Sequence, residues 1–264
     1  MKTTLSITCL LLSMLLPSCT KVIEVNLNDS SPKYVIQADL FADSNYASVS
    51  ISQSKNFSEN NSFTVIQNAI VTIQDDLGKI DTLSLSNNGL YESVAVSGKQ
   101  NRTYTLTVRI GNSIFSAVST IPVPVQLNSV KVDSLSGFGG RNNRITLTPK
   151  FNDPLGTRNN YRFVIRKNNE LQEYILVQND LLNDGIENSR PLNVRDLKFN
   201  TNDTLMVEMQ CIDDGVYDYF QSLSQLTGNG QGSATPVNPL TNIKGGALGY
   251  FSAHTSQVVT IIKK

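Results

Sequence analysis

The chain has 264 residues, and its 22 Lys plus Arg balance its 22 Asp plus Glu, for a formal net charge of zero. Clustered cations are what nucleic acid and anionic lipid surfaces require, so no nucleic-acid footprint and no polybasic membrane contact is expected. His254 is the sole histidine, which excludes a zinc site built on two histidines of one chain.

In chain order, Lys2 stands ahead of an apolar run from Leu5 to Leu16, followed by Leu16-Pro17-Ser18-Cys19 and then polar sequence. The run is too short to span a bilayer and has no stop-transfer charges behind it, so residues 1–18 read as a targeting peptide. Its end resembles a lipobox, in which a small residue precedes a cysteine that is cleaved at and lipidated. Cys19 is the expected lipidation site, anchoring the protein to a membrane. The alternative is an ordinary secretory signal with an incidental cysteine. Cys9 leaves with the signal and Cys19 takes lipid, so Cys211 remains as a single thiol and no intramolecular disulfide can form. Cys211 ends the alternating run Leu205, Val207, Met209, Cys211 and is expected in the core.

Residues 19–32 are turn-rich and form the expected tether. An N-terminal β-sandwich over 33–121 follows. Tyr34, Ile36, Ala38 and Leu40 alternate with more polar neighbours, and Ala47, Val49 and Ile51 alternate with serines. This period of two marks half-buried strands. It recurs at Ala69, Val71 and Ile73, at Leu83 and Leu85, and at Tyr104, Leu106, Val108 and Ile110, with turns at Asn87-Asn88-Gly89 and Gly111-Asn112. About seven short strands without helical period fit an immunoglobulin-like antiparallel sandwich. Ile121-Pro122-Val123-Pro124-Val125 then favours an extended linker over 122–126.

A second sandwich is expected over 127–264, from strands at Val130 to Leu135, Arg144 to Phe151, Tyr161 to Lys167, Glu173 to Val177 and Leu205 to Cys211. Gln178 to Arg190 reads as a loop. One helix near 213–226 interrupts the pattern: Val216, Tyr219, Phe220, Leu223 and Leu226 share a face, Asp213 or Asp214 can cap the start and Gly228 the end. Its aromatic stripe is expected to be core, although tyrosines there could instead form a ligand platform. After Gly228 to Ser233, two final strands are expected at Leu248 to Ala253 and Ser256 to Ile262, with His254 on a surface or loop between them.

Three landmarks together resemble one family. They are Cys19-Thr20-Lys21-Val22-Ile23-Glu24-Val25, the junction Ile121-Pro122-Val123-Pro124-Val125, and the tail Asn242-Ile243-Lys244-Gly245-Gly246-Ala247-Leu248-Gly249-Tyr250-Phe251. Their order and spacing look like the Bacteroidetes lipoproteins grouped as domain of unknown function 4249. The resemblance implies an outer-membrane lipoprotein with immunoglobulin-like β domains, encoded near TonB-dependent receptors. A TonB-dependent receptor or a SusD-like lipoprotein is then the implied partner. The resemblance supplies no catalytic residues.

Catalytic templates fit poorly. A Ser-His-Asp triad could only run through His254, and no Gly-x-Ser-x-Gly elbow occurs. Gly137 to Gly140 and Gly228 to Gly232 lack the Lys-Ser or Lys-Thr that would open a phosphate-binding helix. Asp180-Leu181-Leu182-Asn183-Asp184-Gly185 approaches a calcium loop, but Leu182 stands where an oxygen ligand belongs, so a plain turn is expected. Asp213, Asp214 and Asp218 suit a helix start. The expectation is a non-catalytic binding or accessory subunit of a TonB-dependent transporter, with no cofactor and no metal. Surface adhesion or envelope scaffolding is the alternative, and a carboxylate-based hydrolase the remote one.

Overall fold

The structure is a computed structural model that describes residues 32–42, 44–54, 64–135, 144–194, 196–227 and 238–263. The expected signal, Cys19, the tether up to residue 31 and both glycine-rich loops lie outside the described residues. Alternating sequence becomes strand wherever the period of two holds. The first group is β1 (Tyr34–Phe41), β2 (Ala47–Gln53), β3 (Thr64–Val65), β4 (Ala69–Asp75), β5 (Ile80–Leu85), β6 (Tyr91–Ser93), β7 (Thr103–Ile110) and β8 (Ser113–Thr120). The second is β9 (Ser129–Leu135), β10 (Arg144–Lys150), β11 (Asn160–Lys167), β12 (Glu170–Leu171), β13 (Leu176–Asn179) and β14 (Thr204–Ile212). Helix α1 (Asp214–Thr227), β15 (Ile243–Lys244) and β16 (Leu248–Ile262) complete the order. Among the described residues the fold is all-β with one helix, as the periodicity predicts.

Each face of the alternation has a destination. In β1, Ile36, Ala38 and Leu40 are fully buried, and they join Val49, Ile51, Val71, Tyr104, Leu106 and Val108 in a first apolar cluster. A second cluster gathers Val125, Leu147, Phe151, Tyr161, Phe163, Val207 and Met209. The Pro122 to Pro124 stretch passes from one to the other: Ile121 belongs to the first cluster and Val125 to the second. Cys211 is buried in the second, as its place at the end of an alternating run predicts. All described residues fall within one contact unit.

The tail departs from expectation. Leu248 to Ile262 is one strand, not two. Its first half pairs parallel with β1, from Val35 opposite Leu248 to Phe41 opposite His254, and its second half pairs antiparallel with β14, from Cys211 opposite Thr255 to Thr204 opposite Ile262. Phe251 and Ala253 pack in the first cluster while Val259 and Ile261 pack against the second. Because the hydrogen-bonding partner changes at Thr255 without interrupting the extended backbone, no break is needed there. The sheet path therefore runs β12-β11-β14-β16-β1-β2-β6-β5-β4-β7-β8-β15, with β13 beside β11, β3 beside β2, and β9 and β10 as a separate pair.

The parallel pairing of β1 with β16 depends on Gly249. Its φ is +103°, and a Cβ there would lie 1.9 Å from the Ile36 carbonyl oxygen. A close backbone approach in the left-handed region leaves room only for hydrogen. Gly245 is similar: a Cβ would lie 2.5 Å from the Ile114 oxygen, at the point where β15 meets β8.

The strand expected at Glu173 to Val177 lies further along, at Leu176–Asn179, since a bulge separates it from the short β12. The Asn168-Asn169 turn, with φ of 50° and 69°, closes the β11–β12 hairpin and escaped the sequence reading. Two successive Asn with positive φ are a recognised tight-turn pair.

Candidate functional site

Helix α1 lies over the face of β11, β13 and β16 turned away from the two large clusters. Asp213 caps it, its Oδ1 accepting from the Val216 N–H at 2.9 Å. Val216, Tyr219 and Phe220 are buried against Ile212 and Tyr250, with Tyr219–Phe220, Tyr219–Tyr250 and Phe220–Tyr250 ring centroids 5.0, 5.1 and 4.8 Å apart. The aromatic stripe is thus core, and Leu226, expected on the same face, is 42 % exposed beyond it.

His254 is fully buried, which corrects the surface or loop placement expected of it. The reason is the register: β16 continues through residue 254, so its side chain enters the layer beside Phe41, whose ring centroid is 4.9 Å away. Ser252 Oγ lies 2.9 Å from His254 Nδ1, and Asp39 Oδ1 lies 3.9 Å from the same nitrogen. Tyr250 donates to Asp39 Oδ2 at 3.2 Å. Serine, histidine and aspartate have therefore met, but not as a relay. A triad needs serine on Nε2 and aspartate on Nδ1, whereas here both sit on Nδ1. Nε2 is sealed without a partner among the described residues. Burial holds the imidazole below its ordinary value of 6.5, with the Asp39 charge pulling the other way. The histidine is neutral and structural.

Of the acidic candidates at the helix start, Asp213 and Asp214 have structural partners too, and Asp218 is exposed. Asp213 Oδ2 accepts from Ser119 Oγ at 2.6 Å and the Thr120 N–H at 2.9 Å. Asp214 accepts from Asn160 Nδ2 at 2.7 Å and pairs with Arg158 at 3.1 Å. Asp180 to Gly185 is a turn, as expected, tied to the chain at 152–160: Asp180 Oδ2 accepts from the Asn159 N–H at 2.7 Å, and Asp184 Oδ1 from the Gly156 N–H at 2.7 Å. Behind it, buried Asp153 accepts a hydrogen bond from Tyr161, and burial raises its carboxyl above the ordinary carboxylate range. Among the described residues, no three of His, Cys, Asp and Glu are placed to share one metal ion.

A groove of about 1030 Å³ runs along β13. It is lined by the chain from Leu171 to Gln178, by Pro191 to Asn193, and by Gln221, Ser224 and Thr227 of α1. Those three helix positions are three apart and share a face. Arg162 and Val164 of β11 also line it. Arg162 stacks its guanidinium 4.0 Å from the centroid of Phe220 and donates from Nη1 to Gln210 Oε1 at 3.0 Å. Sequence reasoning missed this site, since it gave Arg162 no role and no local pattern marks an open strand edge.

Comparison with protein families matches residues 20–259 to the domain of unknown function DUF4249. The chain belongs to this family. No curated protein matched. The match takes in every element from β1 to the body of β16, including the groove and the glycines of the 245–249 tail. No helix among the described residues of this DUF4249 chain is long and apolar enough to cross a membrane.

Proposed function

We propose that this DUF4249 protein is a lipid-anchored, non-catalytic binding subunit that serves a TonB-dependent outer-membrane transporter. The observation that carries the binding role is the groove along β13: an open trough with a mixed apolar and polar lining that includes an arginine is what recognition of a ligand or partner segment needs. The residues that would offer acid-base chemistry, Asp213 and His254, are instead spent on a helix cap and a sealed layer. Cys19, at the end of the apolar leader, supports the anchor; each buried methylene of an attached chain contributes ~0.8 kcal/mol, so two or three chains hold a soluble domain durably. The transporter half rests on the resemblance of the three landmarks.

Affinity purification of the tagged protein from detergent-solubilised outer membranes tests the reading. Co-recovery of a TonB-dependent receptor, together with loss of fatty acid and of membrane association in Cys19→Ala, is the expected result. Abundant protein without receptor, or Cys19→Ala still fractionating with membranes, overturns it.

A further inference from the structure

The sheet edge that borders the groove has hydrogen-bonding capacity that the fold leaves unused. The Asp180 N–H donates to the Asn159 oxygen at 3.1 Å, and the Gln172 N–H donates to the Ile165 oxygen at 2.9 Å. The odd-numbered residues at this end of β11 and through it therefore bond toward β12 and β13. Register sets Tyr161 opposite Gln178 and Phe163 opposite Leu176. Since antiparallel strands bond at alternate residues, positions 176 and 178 turn their peptide groups inward to β11, and positions 175, 177 and 179 turn theirs outward. At Asn179 that outward carbonyl is taken by Arg190 Nη2. At Ile175 and Val177, no group among the described residues takes the N–H or the C=O. Both residues line the groove.

Charge adds a second requirement. Arg162 lies directly opposite Val177 in the register and is only partly buried. Among the described residues it has no carboxylate within ion-pair distance: its contacts are the neutral Gln210 and the Phe220 ring. Glu173 is the acidic residue of the groove, and its side chain is exposed. A guanidinium that lines the groove without a carboxylate partner, one strand in from an open strand edge, is complementary to an extended backbone that carries a carboxylate.

We infer that the groove takes an extended acidic segment of a partner protein, which pairs with the outward edge at Ile175 and Val177 as an added strand and sets a carboxylate against Arg162. The edge is short, because the bulge between β12 and β13 interrupts it and Arg190 closes its far end. An edge so limited resists indiscriminate strand pairing, and specificity then comes from Arg162 and from the parts of the Ile175 and Val177 side chains left exposed where they pack on the third cluster, that of α1. This inference rests on reading the groove as a binding surface and not on the transporter.

The test is selection of a phage-displayed random peptide library on the full-length protein held in detergent. Enriched peptides should carry an acidic residue in an extended, non-proline stretch. Val177→Pro removes one outward N–H while sparing the bonds to β11; because Val177 also packs on the third apolar cluster, its thermal midpoint should fall, and below that midpoint, where it is folded, it should weaken the selected peptides by about tenfold or more. Methylating the peptide's own amides at alternate positions gives the same loss without altering the protein. Arg162→Gln should abolish the preference for an aspartate peptide over its asparagine counterpart. Absence of any enrichment, or enriched peptides that bind Val177→Pro equally and tolerate methylation at every amide, overturns the inference. Peptide binding without receptor recovery would keep this inference and sink the transporter reading; receptor recovery without such peptides would do the reverse.

Discussion

Ser119 Oγ donates to Asp213 Oδ2 at 2.6 Å, joining residues 94 positions apart. The same hydroxyl accepts from the Ala253 N–H at 2.8 Å, so one buried serine ties β8, the start of α1 and β16 together. Asp213 answers with its other oxygen, capping the helix at Val216. The start of the helix that lines the groove is thus tied to β8 and, through Ser119, to β16 by the Asp213 carboxylate. Replacing Asp213 by Ala should cost about 2–3 kcal/mol, the worth of charged hydrogen bonds plus a lost cap. Asp213→Asn, which keeps one acceptor oxygen, should cost less. Urea unfolding curves of the two variants provide the comparison, and equal midpoints for wild type and Asp213→Ala would refute the coupling.

Acid should weaken the fold through His254. Burial places its folded value below 6.5, so above that pH the imidazole is neutral in both states. As pH falls through 6.5 the unfolded chain accepts a proton that the folded chain refuses, and stability drops until the folded value is passed. Urea midpoints taken from about pH 7.5 to pH 5.5 should show this decline in wild type and a flatter course in His254→Gln.

Two neighbouring glycines should respond unequally to alanine. At Gly249 the added Cβ would meet the Ile36 oxygen at 1.9 Å, so β1 and β16 must separate. At Gly246 φ is +89° but nothing lies within 4 Å. Gly249→Ala should lose more than about 4 kcal/mol or fail to accumulate folded, while Gly246→Ala should lose only about 1–2 kcal/mol from backbone strain. Thermal unfolding of both distinguishes steric exclusion from φ alone.

The Cys211 thiol is buried, and burial pushes its pKa up. The thiolate is the reactive form, so a thiol reagent should leave Cys211 unlabelled in the native protein and modify it on unfolding in guanidinium. Native labelling at the unfolded rate would show that the second cluster is open.

The sequence by itself determined the local elements. Alternation along β1, β2, β7, β11 and β14 needs only neighbours in the chain to say which side chains face a core, and so does the three-and-four spacing of Val216, Tyr219 and Phe220 behind the Asp213 cap. Cys211 in the core followed from the same rule. The glycines of the 245–249 tail were visible as a motif without a cause, since the Ile36 and Ile114 oxygens that exclude a Cβ come from strands far away in the chain. Tertiary structure alone decided that β16 lies parallel to β1 and then antiparallel to β14, which sealed His254 that a locally read break had left outside. It also decided the groove: an unused strand edge is defined by the strand that is not beside it, and no pattern of residues along one chain records which of its peptide groups find a partner.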